Sequence, residues 1–577
     1  MRSVLKKKSF WILALVAISC FHLVNNSIWL ANSTDIDGVD VGNHLYYQLK
    51  FHHIFKEMIV DSRDNLVQKI REFFLLFHSA MSSPRCIYWP NFVYLTSTFF
   101  TLIFGTGMIT AKLSGFIYFL ILLAAIYAIG KRISGRAVGL LAAFFVSMYP
   151  LVFESSRQYS LDLPLTAMVC LACLFLLRAE HFTDLKYSLL LGVIVGAGML
   201  IKGQFIIFFA APFLTVLGVY FFEDSPHKTT PRVLTNFCVF LITACLIASL
   251  WWSGRIKDVL LSLSLHGSSA AKFLESGTVD RMRGVEYYLY NLKVLVFDSV
   301  GVVFSLVFAG SLFFFIRSRA KYRWLIISWL AVPLALFSLV FVVKHERFLM
   351  PVLPAIALVS AWGIGKLKDR RFRVQAIVVL AVYAVFQFYT LMFFNNWYNH
   401  QFGLRGAMPV FGSSSYGRTP YQRTPYYDRE KLALINSAVK IINGQETGEA
   451  GKDVGICLIG GHIGAFEAIY WMYHFDPRIS VRDWMEHYDT FYQDLPKFKY
   501  VIVASYSSDG FTWPGGREFL DLAVKNRGLN LKLAESFPGW EDNYRAFSRA
   551  EKDFKLVAVL QFNNGIAWYI HKRKDKR

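Results

Sequence analysis

The stretch S-M-Y-P-L-V-F-E-S-S-R-Q-Y-S-L-D-L-P-L-T-A, Ser147 to Ala167, decides how the chain is read. One apolar run ends inside it and another begins, with Arg157 and Asp162 at the join. A helix needs about 20 mostly apolar residues to cross the hydrocarbon. Ionisable groups at the edge of such a run are costly to keep there and tend to be functional. The stretch therefore reads as the charged lip between two membrane spans.

Working outward, apolar runs recur near residues 9 to 31, 112 to 130, 137 to 153, 160 to 177, 187 to 201, 204 to 222, 233 to 253, 294 to 316, 324 to 343, 348 to 365 and 374 to 394. They amount to about eleven spans. The composition agrees: of 577 residues 55% are hydrophobic and 17% aromatic, and mean hydropathy is +0.39, too apolar for one soluble domain. The first run follows Lys6, Lys7 and Lys8 and is longer than a secretory signal core, so it reads as a retained anchor.

A net charge of +21 would suggest nucleic acid in a soluble protein, but here much of it sits in short connectors, where it sets orientation. With the amino terminus inside, the cytoplasmic connectors carry 20 Lys and Arg in 51 residues, against 15 in 112 residues on the opposite side. The positive-inside rule selects that orientation. Odd parity then places everything after residue 394 outside the cytoplasm. Loops carry chemistry when a scaffold positions them, so the outer face is where a site is expected.

The expected domains are 1–394, membrane-embedded with a first outer loop at 32–91, and 395–577, an extracytoplasmic α/β domain. The latter follows from the strand-like runs V-G-I-C-L-I, K-Y-V-I-V-A-S and L-V-A-V-L-Q-F alternating with helical stretches. Asn564-Gly565 between two such runs predicts a hairpin. Residues 91 to 104 are too short to span and read as a re-entrant or interfacial helix; the connector at 254 to 292, mixing Gly, Ser and charge, reads as mobile. Five of seven cysteines lie in apolar runs, where cysteine acts as a small hydrophobe, leaving Cys86 and Cys457 as the one candidate pair. Gly460-Gly461-His462 reads as an ordinary strand-to-helix turn, and His52 and His53 as interfacial.

The outer acids are Asp35, Asp37 and Asp40 in the first loop, with His44 a helical turn past Asp40, and Asp162 at the lip of the fourth span. A carboxylate there can deprotonate an acceptor hydroxyl or hold a divalent cation. Each has a plainer reading: Asp40 as the cap of a helix starting near Val41, Asp162 as the cap of one starting near Pro164. The outer cations are Lys202, between spans five and six, then Lys344 and Arg347 in a tight turn, and Arg157. Such groups suit a lipid phosphate, although either type alone also snorkels to the interface.

Several ordered motifs carry a resemblance: W-P-N-F-V-Y-L (89 to 95), A-K-L-S-G-F (111 to 116), G-K-R-I-S-G-R-A-V-G-L-L-A-A (130 to 143), the opening stretch, G-A-G-M-L-I-K-G-Q (196 to 204) and K-H-E-R-F-L-M-P-V-L-P-A-I-A-L (344 to 358). Over residues 5 to 395 the chain resembles the GT-C membrane glycosyltransferases, in the branch of protein O-mannosyltransferases and lipid A aminoarabinose transferases. The resemblance implies a GT-C fold and an inverting transfer of a sugar from a polyprenyl phosphate donor to an extracytoplasmic acceptor: envelope lipid, glycan or protein. Asp40 is closest to the first acid of the family's pair; Val41 stands where the second is usual, which leaves Asp37 as the other candidate base. Asp162 matches the second acidic position, and Lys202 and Arg347 match basic positions beside the donor, with Lys344 and Arg157 added to them. Some relatives use a divalent ion, but the residues here name no ligand set. The expected location is a bacterial plasma membrane. A transporter or flippase for a lipid-linked sugar, or an inactive structural relative, are the competing readings.

Overall fold

The computed structural model of the protein describes residues 8–33, 41–60, 90–222, 231–253, 285–320, 322–341, 346–394, 429–445, 452–458, 465–483, 498–506, 553–561 and 566–574. Helix α1, Lys8–Ala31, is followed by α2, Val41–Val60, and α3, Phe92–Phe104. These two pack against each other through polar contacts: Gln48 Nε2 donates to Thr101 Oγ1 at 2.9 Å, and His52 Nδ1 stands 3.0 Å from the same oxygen. Burial, with His53 and Lys56 alongside, pushes His52 down to about 4, so its ring is neutral at pH 7. His52, expected at the interface, is therefore buried against α3. Thirteen residues rise only about 20 Å, so α3 is too short to cross, as its sequence implied.

The bundle continues with α4 (Met108–Ser114), α5 (Phe116–Ser134), α6 (Arg136–Met148) and α7 (Pro150–Ser155). A single residue joins α5 to α6: Gly135, at φ 97°, a conformation that glycine alone adopts without strain. The two backbones then touch. A Cβ on Gly139 would lie 2.4 Å from the Tyr127 carbonyl oxygen, and one on Gly130 2.7 Å from the Gly139 Cα. The run expected at 137 to 153 is split into α6 and α7, because Pro150 forces Tyr149 into extended backbone at ψ 130°.

Next come α8 (Asp162–Arg178), α9 (Leu185–Met199), α10 (Phe205–Phe222) and α11 (Pro231–Trp252). Helix α12 (Val285–Val294) runs into a π-helical turn, Leu295–Val300, and then α13 (Val302–Arg317) leaves at 115°. Residues 285 to 292, part of the connector expected to be mobile, are thus helical; 254 to 284 lie outside the described residues. The bundle closes with α14 (Arg323–Leu339), a 3-10 turn at Glu346–Val352, α15 (Leu353–Gly365) and α16 (Arg370–Tyr389). A helix apolar all round is a buried one, and α8 and α15 are the two central pillars, with nearly every side chain enclosed. Cys170 and Cys173 are inside α8 as small buried side chains.

Every one of the eleven apolar runs carries helix among the described residues. By length and composition, however, five helices among the described residues suffice to cross a membrane: Ser9–Ala31, Met108–Ser134, Pro231–Trp252, Arg347–Gly365 and Arg370–Phe393. The bent pair at Gly301 makes a sixth.

Beyond the bundle stand α17 (Arg429–Gly444) and α18 (Ala465–Phe475) with strands β1 (Lys452–Leu458), β2 (Ile479–Asp483), β3 (Tyr500–Tyr506), β4 (Phe554–Gln561) and β5 (Ile566–Arg573). The sheet order is β2-β1-β3-β5-β4, with β1 parallel to both neighbours and β5 antiparallel to both of its own. The three strand-like runs fall on β1, β3 and β4. The runs flanking Asn564-Gly565 pair antiparallel, while the turn itself is outside the described residues, as are Gly460 to His462 and Cys86. Helix α18 leans on α2, where the Tyr473 ring meets Tyr46 at 5.2 Å and His53 at 5.7 Å.

One acid pins α18 to β2. Asp476 takes a two-pronged bond from Arg478, Nε to Oδ1 and Nη2 to Oδ2, both 2.9 Å, plus the Arg478 backbone N–H and Asn443 Nδ2. The Arg478 side chain, its backbone N–H and Asn443 hold the carboxyl down at about 2 against an ordinary 3.8. A depressed acid stabilises the fold above its unfolded pKa and ceases to as pH falls through the folded one. Because the Arg478 side chain is 51% exposed and screened, about 1–2 kcal/mol is expected to be lost between pH 5 and pH 2. Asp476→Asn should remove that acid-side slope in denaturant unfolding; an unchanged slope would show that the bonds carry no net stability.

Candidate active site

Three segments far apart in sequence meet at one end of the bundle. Asp162 opens α8, where Pro164 suits the first turn because its missing N–H has no intrahelical partner there. The cap position itself is held by Leu161. Asp162 thus stands in the first turn of α8, one residue past the cap position. Lys202 projects from the tight turn between α9 and α10, closed by Phe205 N–H to the Lys202 carbonyl at 2.9 Å. Trp252 Nε1 ties that turn down from α11 through the Met199 carbonyl at 3.1 Å. Arg347 sits in the 3-10 turn ahead of α15.

Lys202 Nζ donates to Asp162 Oδ1 at 2.8 Å, and Arg347 Nε stands 3.7 Å from Asp162 Oδ2. Asp162 is 3% and Arg347 8% exposed. Both cations also lie against the Phe348 ring, at 5.3 and 5.6 Å, a contact that strengthens where water is thin. Two cations thus meet on one buried carboxylate. Burying such a triad is seldom the most stable solution, since apolar replacements of equal volume often do as well or better.

Arg157, in the α7–α8 connection, is stacked at 4.4 Å on Trp29 near the end of α1. Lys112 of α4 approaches the same ring at 5.9 Å and is 2% exposed. Sequence reasoning missed Lys112; the available signal was a lone lysine at the start of an apolar run. His44 bonds through Nδ1 to the Tyr94 hydroxyl at 2.7 Å, so it faces α3. Asp37, Asp40 and Lys344 lie outside the described residues. Among the described residues no group of three or more His, Cys, Asp or Glu is placed to hold a metal ion.

The family model described as dolichyl-phosphate-mannose-protein mannosyltransferase matches residues 89–252, a segment that includes Asp162 and Lys202. No curated protein matches the chain in sequence. Among solved structures, ArnT from Cupriavidus metallidurans bound to undecaprenyl phosphate is 13% identical at a TM-score of 0.53, covering 98% of each chain. Its apo state gives 0.55 over 97% of this chain and 98% of that one. The apo oligosaccharyltransferase of Archaeoglobus fulgidus is 13% identical over 87% of this chain and 70% of that chain, at a TM-score of 0.47. The resemblance to the GT-C membrane glycosyltransferases thus holds in sequence over the matched segment and, through ArnT, in fold over nearly the whole chain.

Proposed function

We propose that this GT-C glycosyltransferase moves a sugar from a polyprenyl phosphate donor to an extracytoplasmic acceptor, with inversion. The observation that carries the reading is the meeting of Lys202 and Arg347 on Asp162 at a single lip. In this reading the two cations neutralise charge growing on the departing phosphate, an electrostatic contribution that is commonly the largest in catalysis. Asp162 holds them in place. Asp40 or Asp37 takes the proton from the acceptor hydroxyl as its oxygen bonds to the anomeric carbon and the bond from that carbon to the phosphate oxygen breaks. Phosphate leaves as an anion and needs no protein acid. Lys344 and Arg157 extend the basic rim, residues 1–394 form the catalytic membrane domain, and 395–577 lie outside the cytoplasm of a bacterial plasma membrane. That ArnT was solved bound to undecaprenyl phosphate supports a lipid phosphate as the donor's leaving group.

A transporter would place its ionisable groups near the midplane. Purified protein in liposomes, given a polyprenyl phosphate sugar and candidate acceptors, separates the two. New glycoside linked to acceptor, detected by mass spectrometry, is the expected result. Sugar lipid that changes leaflet with no new linkage would replace the enzyme by a carrier.

A further inference from the structure

The motif W-P-N-F-V-Y-L, residues 89 to 95, runs into α3, a helix too short to cross and with no part in the transfer step as derived so far. Yet α3 is tied down on two sides. Toward the triad, the Phe92 N–H donates to the Leu200 carbonyl at 3.3 Å, in the turn that carries Lys202, and Phe92 and Leu95 pack on Leu200 and Trp251. The hydroxyls of Ser97 and Tyr159 bond each other, three residues ahead of Asp162, and the Tyr94 and Tyr159 rings lie 6.5 Å apart. Two of the three segments that form the triad are thus braced by α3.

On its other side α3 holds α2, and Tyr94 makes the contact at the near end. Its hydroxyl stands 2.7 Å from His44 Nδ1, and its ring meets those of Tyr47 and Phe51, each at 6.0 Å. Tyr94 and His44 are both 2% exposed. Helix α2 begins at Val41, so His44 is in its first turn and Asp37 and Asp40 are the acids that lead into it. Ring contacts are non-directional and tolerate sliding of one helix along another. A hydroxyl-to-imidazole bond has a preferred distance and angle, so it fixes the register.

We infer that Tyr94 is a positioning residue for the transfer: through His44 it sets the first turn of α2, and with it the proposed base, at reacting distance from the phosphate triad. This inference rests on the proposed transfer with an Asp base. Reacting atoms must approach to about 3–3.5 Å, and a misplacement of about 1 Å that originates away from the chemistry can cost about 10²-fold. The cations proposed to hold the lipid phosphate are not on α2, so a shift of α2 should act on rate and not on donor binding.

Steady-state transfer by the full-length protein in liposomes is the test. Tyr94→Phe keeps the ring and removes the hydroxyl; its rate at saturating donor should fall about 10–100-fold while the donor KM stays within about two-fold of the parent. His44→Leu should lose as much, and the double variant no more than either alone, because the two act through one bond. Should Tyr94→Phe fail to fold, His44→Asn and His44→Gln decide in its place. The Asn amide reaches the position of Nδ1 and should keep most of the rate, whereas the Gln amide reaches that of Nε2 and should not. The parent rate in Tyr94→Phe, additive losses in the double variant, a donor KM that rises in step with the loss, or equal rates in the Asn and Gln pair would each overturn the inference and leave the transfer reading intact. A parent that forms no glycoside would bring down both.

Discussion

Asp162→Asn is expected to lower transfer by about 10²–10³-fold and to destabilise the protein by about 3–5 kcal/mol, the range for breaking a buried ion pair by removal of one partner. The substitution is nearly isosteric, so the loss is one of charge. Lys202 Nζ at 2.8 Å and Arg347 Nε at 3.7 Å would keep their positive charges with no carboxylate between them. Lys202 has a long flexible stem and would swing toward the interface, whereas Arg347 is held by its turn. Initial rates in liposomes and denaturant unfolding read the two losses separately. The double variant Asp162→Asn with Lys202→Met decides between roles. Removing the stranded cation should return part of the stability, because contacting residues are not additive, while transfer stays low. Recovery of both together would make the triad a structural device only.

That triad was legible in sequence for a physical reason. Each member is an ionisable residue at the edge of an apolar run, and membrane insertion makes such residues rare enough that their side of the bilayer is informative. Helix positions were legible too, because hydrocarbon thickness fixes the length of a run. Span count was less so: Pro150 and Gly301 break runs that look continuous in composition, and only backbone geometry reveals the 115° turn. Strand β2 went unread, being five residues with two charges, Arg482 and Asp483, held in place by parallel pairing to β1. The Lys112 and Arg157 contacts with Trp29 were also hidden. Tertiary packing assembles both from residues whose local sequence resembles any membrane helix.

The base carries the other large effect. A general base positioned on the acceptor hydroxyl contributes about 10²–10⁴-fold, so whichever of Asp37 and Asp40 serves should lose that much as Asn while the other loses little. Donor binding should be nearly unaffected in both, since on this reading the phosphate is held by Lys202 and Arg347, and the loss should appear in the rate at saturating donor rather than in its KM. A carboxylate base also fixes the form of the acid limb: log rate should rise with slope one and level off above the carboxyl's pKa, and the Asn variant of the true base should lack that limb. Azide or formate added to the inactive variant offers a small external base for the vacated position, and rescue would tie the defect to proton transfer. If Asp37→Asn and Asp40→Asn both retain the parent rate, the proton goes elsewhere, and Asp162, displaced from its cations during the reaction, becomes the acid to test next.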